Sequence, residues 1–388
     1  VFSNLFEPNN TTATVDASEI ISALQSSNVT ISTHSGAAAS GNAGNITVST
    51  SLENINTHAN GKKLTLFASE DITVSKSISS SGGPLTVRLR AEGNIVIDSN
   101  ASITTKGGEF KVTGANPDGD PDTDEVTNAA AGSFKLSSGS SINTTGGTDA
   151  PGGAVTIKTT VRSNASLAAE TDGDIEIFGN ITTSGGTATS TGQAGGAVTL
   201  TAGVEGTTNG QIIIDAGGNI TTTGSDAGGT SNATGGAGGA VTLNTNGENI
   251  TLIDANISTG GGAKAANGTD GAGGNISIQD PLRVGSGTSG ATNTLDTGTT
   301  AGNITFSGAI DGHDPASLPG ATGLSNFDDH LILLSGTGSF TFGGNIGDTL
   351  ALTSLSINST AGTAAITVPQ IGGGGSPGVT GAVTIGNT

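Results

Sequence analysis

Apolar and polar residues alternate along residues 152–259 in short runs, and the runs recur in a fixed order. The order is a Gly-Gly pair, an Ala-Val-Thr-Ile/Leu run, a second apolar run, and an Asn-Ile-Thr/Ser run closed by Gly. The second glycine of the pair falls at Gly153, Gly196, Gly239 and Gly274, at intervals of 43, 43 and 35 residues. A repeat of this size is the mark of a solenoid, in which each unit buries its apolar face against its neighbours. Within it, Val198 and Leu200, Ile212 and Ile214, and Ile220 take one phase of a period-two pattern, while Thr199, Ile213 and Thr221 take the other. Runs this short predict strands, and their β-branched content agrees. Gly-Gly, Gly-Asn and Ser-Gly interrupt them at corners where positive φ is expected. The pattern predicts an all-β chain folded as a right-handed parallel β-helix, with a β-sandwich as the competing arrangement.

The first 28 residues read differently. The run Asp16-Ala-Ser-Glu-Ile-Ile-Ser-Ala-Leu-Gln predicts one short helix, with Asp16 as N-cap and Ile20, Ile21 and Leu24 on one face. A helix there would cap the strand edges at the end of the solenoid. Strands follow at 28–33, 44–50, 63–68, 71–74, 85–89 and 93–98. Insertions rich in Gly, Ser, Thr and Ala at 185–194, 224–238 and 260–273 fall at one point of the repeat, which predicts loops projecting from one side. Three sections result: an arm and capping helix at 1–28, the β-helix with its projecting loops at 29–280, and a less regular β-solenoid section at 281–388. Roughly fifteen coils at the ~4.8 Å spacing of neighbouring strands predict a rod of ~70 Å. The last run, Ala382-Val-Thr-Ile, is a strand with no recognisable cap.

Composition narrows the function. Of 388 residues 66 are Gly, only 3% are aromatic, and Trp, Tyr, Cys and Met are missing. A thin core of stacked aliphatic ladders can dispense with aromatics, so Phe67, Phe110, Phe134 and Phe178 are expected as occasional core fillers. The net charge of −20 argues against nucleic-acid binding, since phosphate contacts need clustered Lys and Arg. No segment reaches the ~18 consecutive apolar residues of a membrane span, so membrane insertion is not expected. The absence of Met predicts a processed chain or a fragment, and the absence of Cys fits a surface protein.

Two polar clusters are candidate sites. In the segment NPDGDPDTDEVTN, Asp118, Asp120, Asp122 and Asp124 alternate and Glu125 is adjacent. Calcium takes 6–8 hard oxygen ligands from loops of this kind, although the spacing is not that of an EF-hand. A solvated acidic loop is the alternative. Asp311, His313, Asp314, Asp328, Asp329 and His330 carry transition-metal ligand types, but their spacing fits no known template and a plain surface loop is the simpler reading. Elsewhere the carboxylates (Glu92, Asp98, Asp174, Asp215, Asp254) are scattered near turns rather than paired for acid–base chemistry, which argues against an enzyme. Asn45, Asn180, Asn219, Asn249, Asn256, Asn275 and Asn303 begin Asn-Ile-Thr/Ser sequons, whose structural reading is amides stacked between coils. Thr182-Thr183 and residues 221–223 resemble the Thr ranks of ice-binding solenoids, but the ranks are short and stop at glycines.

The motif Asp-x-x-x-Ile-x-x-Ala-Leu at residue 16, then Val-Thr-Ile-x-Thr at 29 and Gly-Asn-Ile-Thr-Val at 44, resembles the filamentous-haemagglutinin type of large bacterial surface adhesin. The run GTGSFTFGGNIG from Gly336, followed by LTSLSINSTAG from Leu352 to Gly362, is similar to repeats of such proteins. The resemblance implies a β-solenoid and an extracellular, cell-surface location. The expectation is a non-catalytic structural or adhesive rod, with a carbohydrate-binding or carbohydrate-active β-helix as the alternative. Its partners would be further copies of itself, joined head to tail through an apolar arm bearing Phe2, Leu5 and Phe6, or surface glycans.

Overall fold

The structure is a computed structural model and describes residues 14–33, 44–114, 131–160, 173–203, 210–229, 231–286, 291–313, 329–359, 366–373 and 378–387. It is a parallel β-helix. After a helix, α1 (Ala17–Leu24), the strands β1 (Val29–Ser32), β2 (Ile46–Val48) and β3 (Leu52–Ile55) each begin a separate sheet, A, B and C. Each following coil extends the sheets in turn, to ten, nine and eleven strands respectively.

The register explains why the short runs suffice. In sheet A, Val87, Phe110, Val155, Val198 and Val241 are stacked partners on successive coils. Sheet B aligns Ile95, Phe134, Ile175, Ile212 and Ile250 in the same way. Sheet C aligns Ile103, Ile142, Ile181, Ile220 and Ile257. All of these side chains are fully buried. Each removes an aliphatic or aromatic group from water, worth about 1.5–3 kcal/mol. Slipping one coil by one residue would turn its whole row outward, so the register is strongly specified.

Three expectations need correction. The sheets hold about ten coils, not fifteen, so the rod is about 45 Å long at the usual strand spacing. Among the described residues, insertions at the corner between sheets C and A take up part of the difference. Phe178 is not a core filler. It lies half-buried on the outside, with the Lys135 ammonium 4.9 Å from its ring centroid. Finally, the recurring pairs that end at Gly153, Gly196, Gly239 and Gly274 are not sites of positive φ. That conformation is taken by Asn54, Asn100, Lys106 and Asn246 among others, and by glycines such as Gly107 and Gly217. The paired glycines are needed for close approach instead. A Cβ at Gly153 would strike the Gly108 carbonyl, one at Gly196 the Gly153 carbonyl, and one at Gly239 the Gly196 carbonyl. Backbone rests directly on backbone up this edge.

Helix α1 closes the first coil as expected. The Asp16 carboxylate accepts from the Ser18 N–H at 2.7 Å and from its hydroxyl at 2.6 Å, which caps the helix. Ile20 and Leu24 are buried and Ile21 packs beside them, over the start of the hydrophobic ladder. At the opposite end Val383 and Ile385 pair in register with Leu355 and Ile357, yet stand 43% and 45% exposed.

Candidate functional site

The most elaborate feature lies at the corner between sheets C and A. A threonine follows each of six consecutive sheet C strands, from Ser102–Thr104 to Thr292–Asp296, and turns inward, fully buried. Its hydroxyl donates to the carbonyl of the glycine that opens the next sheet A strand. The pairs are Thr105 to Gly108 at 2.5 Å, Thr144 to Gly153 at 2.6 Å, Thr183 to Gly196 at 2.5 Å, and Thr222 to Gly239 at 2.5 Å. Thr259 to Gly274 at 2.6 Å and Thr297 to Gly302 at 2.9 Å continue the series. The glycine N–H returns a bond to the threonine carbonyl, as from Gly196 to Thr183 and from Gly239 to Thr222, each 2.6 Å. This reciprocal clip recurs from coil to coil, while the separation it spans runs 3, 9, 13, 17, 15 and 5 residues. Thr183 and Thr222 therefore belong to the interior, not to an outward Thr rank.

The segments beyond the clips form a tapered lobe on one side of the rod. They do recur at one corner, as their spacing predicts. However, they are ordered against each other rather than projecting singly. Gly236 N–H donates to Ser225 within its own loop, while Ser225 N–H donates to Gln193 of the loop before, both at 2.9 Å. Gly224 N–H donates to Gly260 of the loop after, at 2.9 Å, and Gly262 N–H to Gly236 at 2.8 Å. Bonds thus leave each arm in several directions, unlike the two of a sheet. Exposed residues recur every third position: Thr191, Ala194 and Ala197, then Thr234, Ala237 and Ala240, then Thr269, Ala272 and Asn275. This matches the three-residue turn of a polyproline-II backbone. Glycine is required between them, because a Cβ at Gly236 would strike Gln193, and one at Gly262 would strike Ser225.

The sites anticipated from the sequence fare unevenly. Asp118, Asp120, Asp122, Asp124 and Glu125, and also Phe2, Leu5 and Phe6, lie outside the described residues. So do Asp314 and Asp328 of the second cluster. Of its remaining members, His313 donates its backbone N–H to the buried Asp329 carboxylate at 3.2 Å. Asp311 accepts instead from the Thr349 N–H at 2.9 Å, and the His330 Nδ1 meets the Ser354 hydroxyl at 2.6 Å. These side chains do not converge, and among the described residues no group of three or more His, Asp and Glu is placed to hold a metal.

Several of the scattered carboxylates hold backbone N–H groups. Asp174 accepts from the Gln211 N–H of the next coil at 2.7 Å, and Asp280 accepts from Thr245 and Gly247 at 2.6 and 2.9 Å. Asp98 accepts from the Ser75 hydroxyl at 2.6 Å. The Thr189 N–H and then its hydroxyl hold Asp149 below the usual carboxylate range. Asp215 is pushed up, chiefly by burial, with the Ala216 N–H opposing and the neighbouring Asp254 charge adding to the rise. Three of the sequon asparagines stack as expected: Asn219 Nδ2 donates to Asn180 Oδ1 at 3.2 Å, and Asn256 Nδ2 donates to Asn219 Oδ1 at 3.1 Å, whereas Asn45, Asn275 and Asn303 accept from backbone N–H groups of the next coil. No family model, curated protein or solved structure matches the chain.

Proposed function

We propose that the chain is a non-catalytic structural and adhesive element of an extracellular, cell-surface protein, acting as a rod. The observation that supports this best is the engagement of carboxylates such as Asp174, Asp280 and Asp311 with backbone N–H groups. A hydrolase or lyase needs a carboxylate that exchanges a proton with substrate, and a carboxylate holding two coils together is poorly suited to that. Continuity supports the same reading, since among the described residues the three ladders persist from coil to coil. A second reading, glycan binding without catalysis, is supported by the uneven charge of the three sheets.

Assembly would run head to tail. The arm with Phe2, Leu5 and Phe6 would dock on the last strand, Val383–Asn387, of the next copy. Calcium on Asp118, Asp120, Asp122, Asp124 and Glu125 would brace the loop that carries them. Electron microscopy of the purified chain, with and without chelator, tests the proposal. Filaments that are lost on removing residues 1–13 support the docking, and filaments dissolved by chelator support calcium. Release of sugar fragments from a polysaccharide by the pure chain would overturn the non-catalytic reading.

A further inference from the structure

Charge is distributed among the sheets in a way that the net value hides. The ten strands of sheet A contain no Asp or Glu, in a chain that has 32 of them. Four consecutive strands of that sheet, Lys62–Ala68, Leu85–Ala91, Phe110–Gly114 and Val155–Lys158, hold Lys62, Lys63, Arg88, Arg90, Lys111 and Lys158. That is six of the chain's 12 Lys and Arg. Sheet B, by contrast, balances Lys135 and Arg283 against Glu176 and Asp311, with Lys135 and Glu176 paired at 2.7 Å. Strands of sheet C carry Glu53 and Asp296 and no Lys or Arg.

Of the basic residues, Arg88 and Lys111 share a rank, while Lys63 pairs with Thr86 and Lys158 with Thr201 in other rows of the same sheet. Arg88, Lys111 and Thr156 are successive partners in one outward rank, which continues through Thr199, Thr242 and Ser277. Arg90 is buried over Phe67, its Cζ 4.9 Å from the ring centroid, and so shapes the surface rather than meeting a ligand. At the near edge a recess of about 350 Å³ is lined by Asn28, Asn60, Lys62, Lys63, Thr86 and Glu109. It lies beside the three-residue clip from Thr105 to Gly108, before the lobe begins to build out the corner. Glu109 is the flanking acid, and it pairs with Lys111 at 2.9 Å. Lys111 in that pair is 29% exposed and Glu109 45%, so the bond is weak enough for a second anion to compete with it.

We infer that this half of sheet A is a docking face for an extended anionic polysaccharide, anchored in the recess at Lys62 and Lys63. The inference deepens the adhesive role proposed above and rests on it. A sugar acid suits the face on three counts. Arg88 and Lys111 are register partners on successive coils, about 4.8 Å apart, close to the length of one extended pyranose unit. The hydroxyl rank that follows them can bond the sugar's own hydroxyls. The chain has no Trp or Tyr, and Phe67 is covered, so among the described residues this face offers no platform on which nucleic-acid bases could stack.

The test is binding of the full chain to immobilised polygalacturonate, with neutral dextran as reference and chelator present so that calcium cannot bridge carboxylates. Binding is expected at about 0.02 M salt and its loss at about 0.5 M, where exposed charges are screened beyond a few ångströms. K62Q/K63Q is expected to weaken binding about tenfold, and K111Q or K158Q about threefold each, in proportion to the charges removed. K264Q on the lobe and R283Q on sheet B serve as controls and are expected to leave affinity unchanged, with the same unfolding midpoint for all variants. Equal binding to dextran, equal loss in K264Q, or displacement by single-stranded nucleic acid of matched charge would each overturn the inference. Rods that ignore polygalacturonate overturn this assignment alone. Cleavage of polygalacturonate instead overturns the non-catalytic reading on which it rests.

Discussion

The corner at Thr105–Gly108 and the corner at Thr222–Gly239 perform the same closure with very different lengths of chain. In the first, the clip spans 3 residues and little else is present. In the second, it spans 17 residues and supports the broadest part of the lobe. A flexible loop of the longer kind would cost more entropy to close, by about 1.5 kcal/mol from its length alone. The lobe offsets this by bonding its arms to those of the neighbouring loops. The coil therefore sees one geometry, whichever insertion it carries. Insertions can lengthen here without disturbing the ladders, because the clip isolates them.

Several substitutions would break or sharpen that contrast. The largest effect is expected for Gly239→Ala, whose new Cβ meets the Gly196 carbonyl with backbone on both sides and no room to yield. Destabilisation of about 3 kcal/mol or more, read by denaturant unfolding, is the expected outcome. Gly147→Ala, where nothing lies within 4 Å of the added methyl, should stay within about 0.5 kcal/mol of the parent. Next come Thr105→Val and Thr222→Val, each deleting a buried donor and leaving a glycine carbonyl short of a partner, for about 1–3 kcal/mol. The two costs are expected to be alike. A clearly greater cost at Thr222 would show that the lobe does not hold itself.

Smaller effects test the outer surface. Asn219→Ala removes the middle rung of the amide stack between Asn180 and Asn256, and about 0.5–1.5 kcal/mol is expected from lost hydrogen bonding. Asp215→Asn is expected to stabilise the protein at neutral pH. The folded carboxyl sits above its ordinary value, so folding favours the protonated form, and stability is lost as pH rises through that raised value. The gain should be a few tenths of a kcal/mol, since the site is only half-buried and solvent screens it. It should vanish below about pH 4, where the carboxyl is protonated in both states. A gain that persisted in acid would point to packing instead of charge.

Much of the fold was legible because a strand needs only two inward residues to declare its phase, as Val198 and Leu200 do. Sheet C was harder in the early coils: Ser102-Ile-Thr and Ser141-Ile-Asn hold one apolar residue each, too few to show alternation. The corner glycines were found, but for the wrong reason. Sequence shows that a Cβ is missing at Gly196, and only the stacked coil shows what it would have struck. The inward turn of Thr183 beside the outward Thr182 was invisible for a similar reason, since both read as polar. The basic face was hidden by the total charge, which averages over three sheets whose strands interleave along the chain. Phe178 misled because an aromatic in a chain poor in aromatics suggests a core, yet Lys135 covers it from outside.

The lobe and the ladders also part company on cooling. Apolar burial weakens in cold water, because its favourable free energy comes with a large heat-capacity change. The stacked Val and Ile rows are subject to that loss. The lobe, built mostly of glycine backbone, hides little hydrocarbon beyond Ala233 and is held by hydrogen bonds among backbone groups and a few side chains such as Asp149 and Asp226. Toward low temperature its hold on the rod flattens rather than declines, and the part of the molecule poorest in side chains becomes the relatively firmer one.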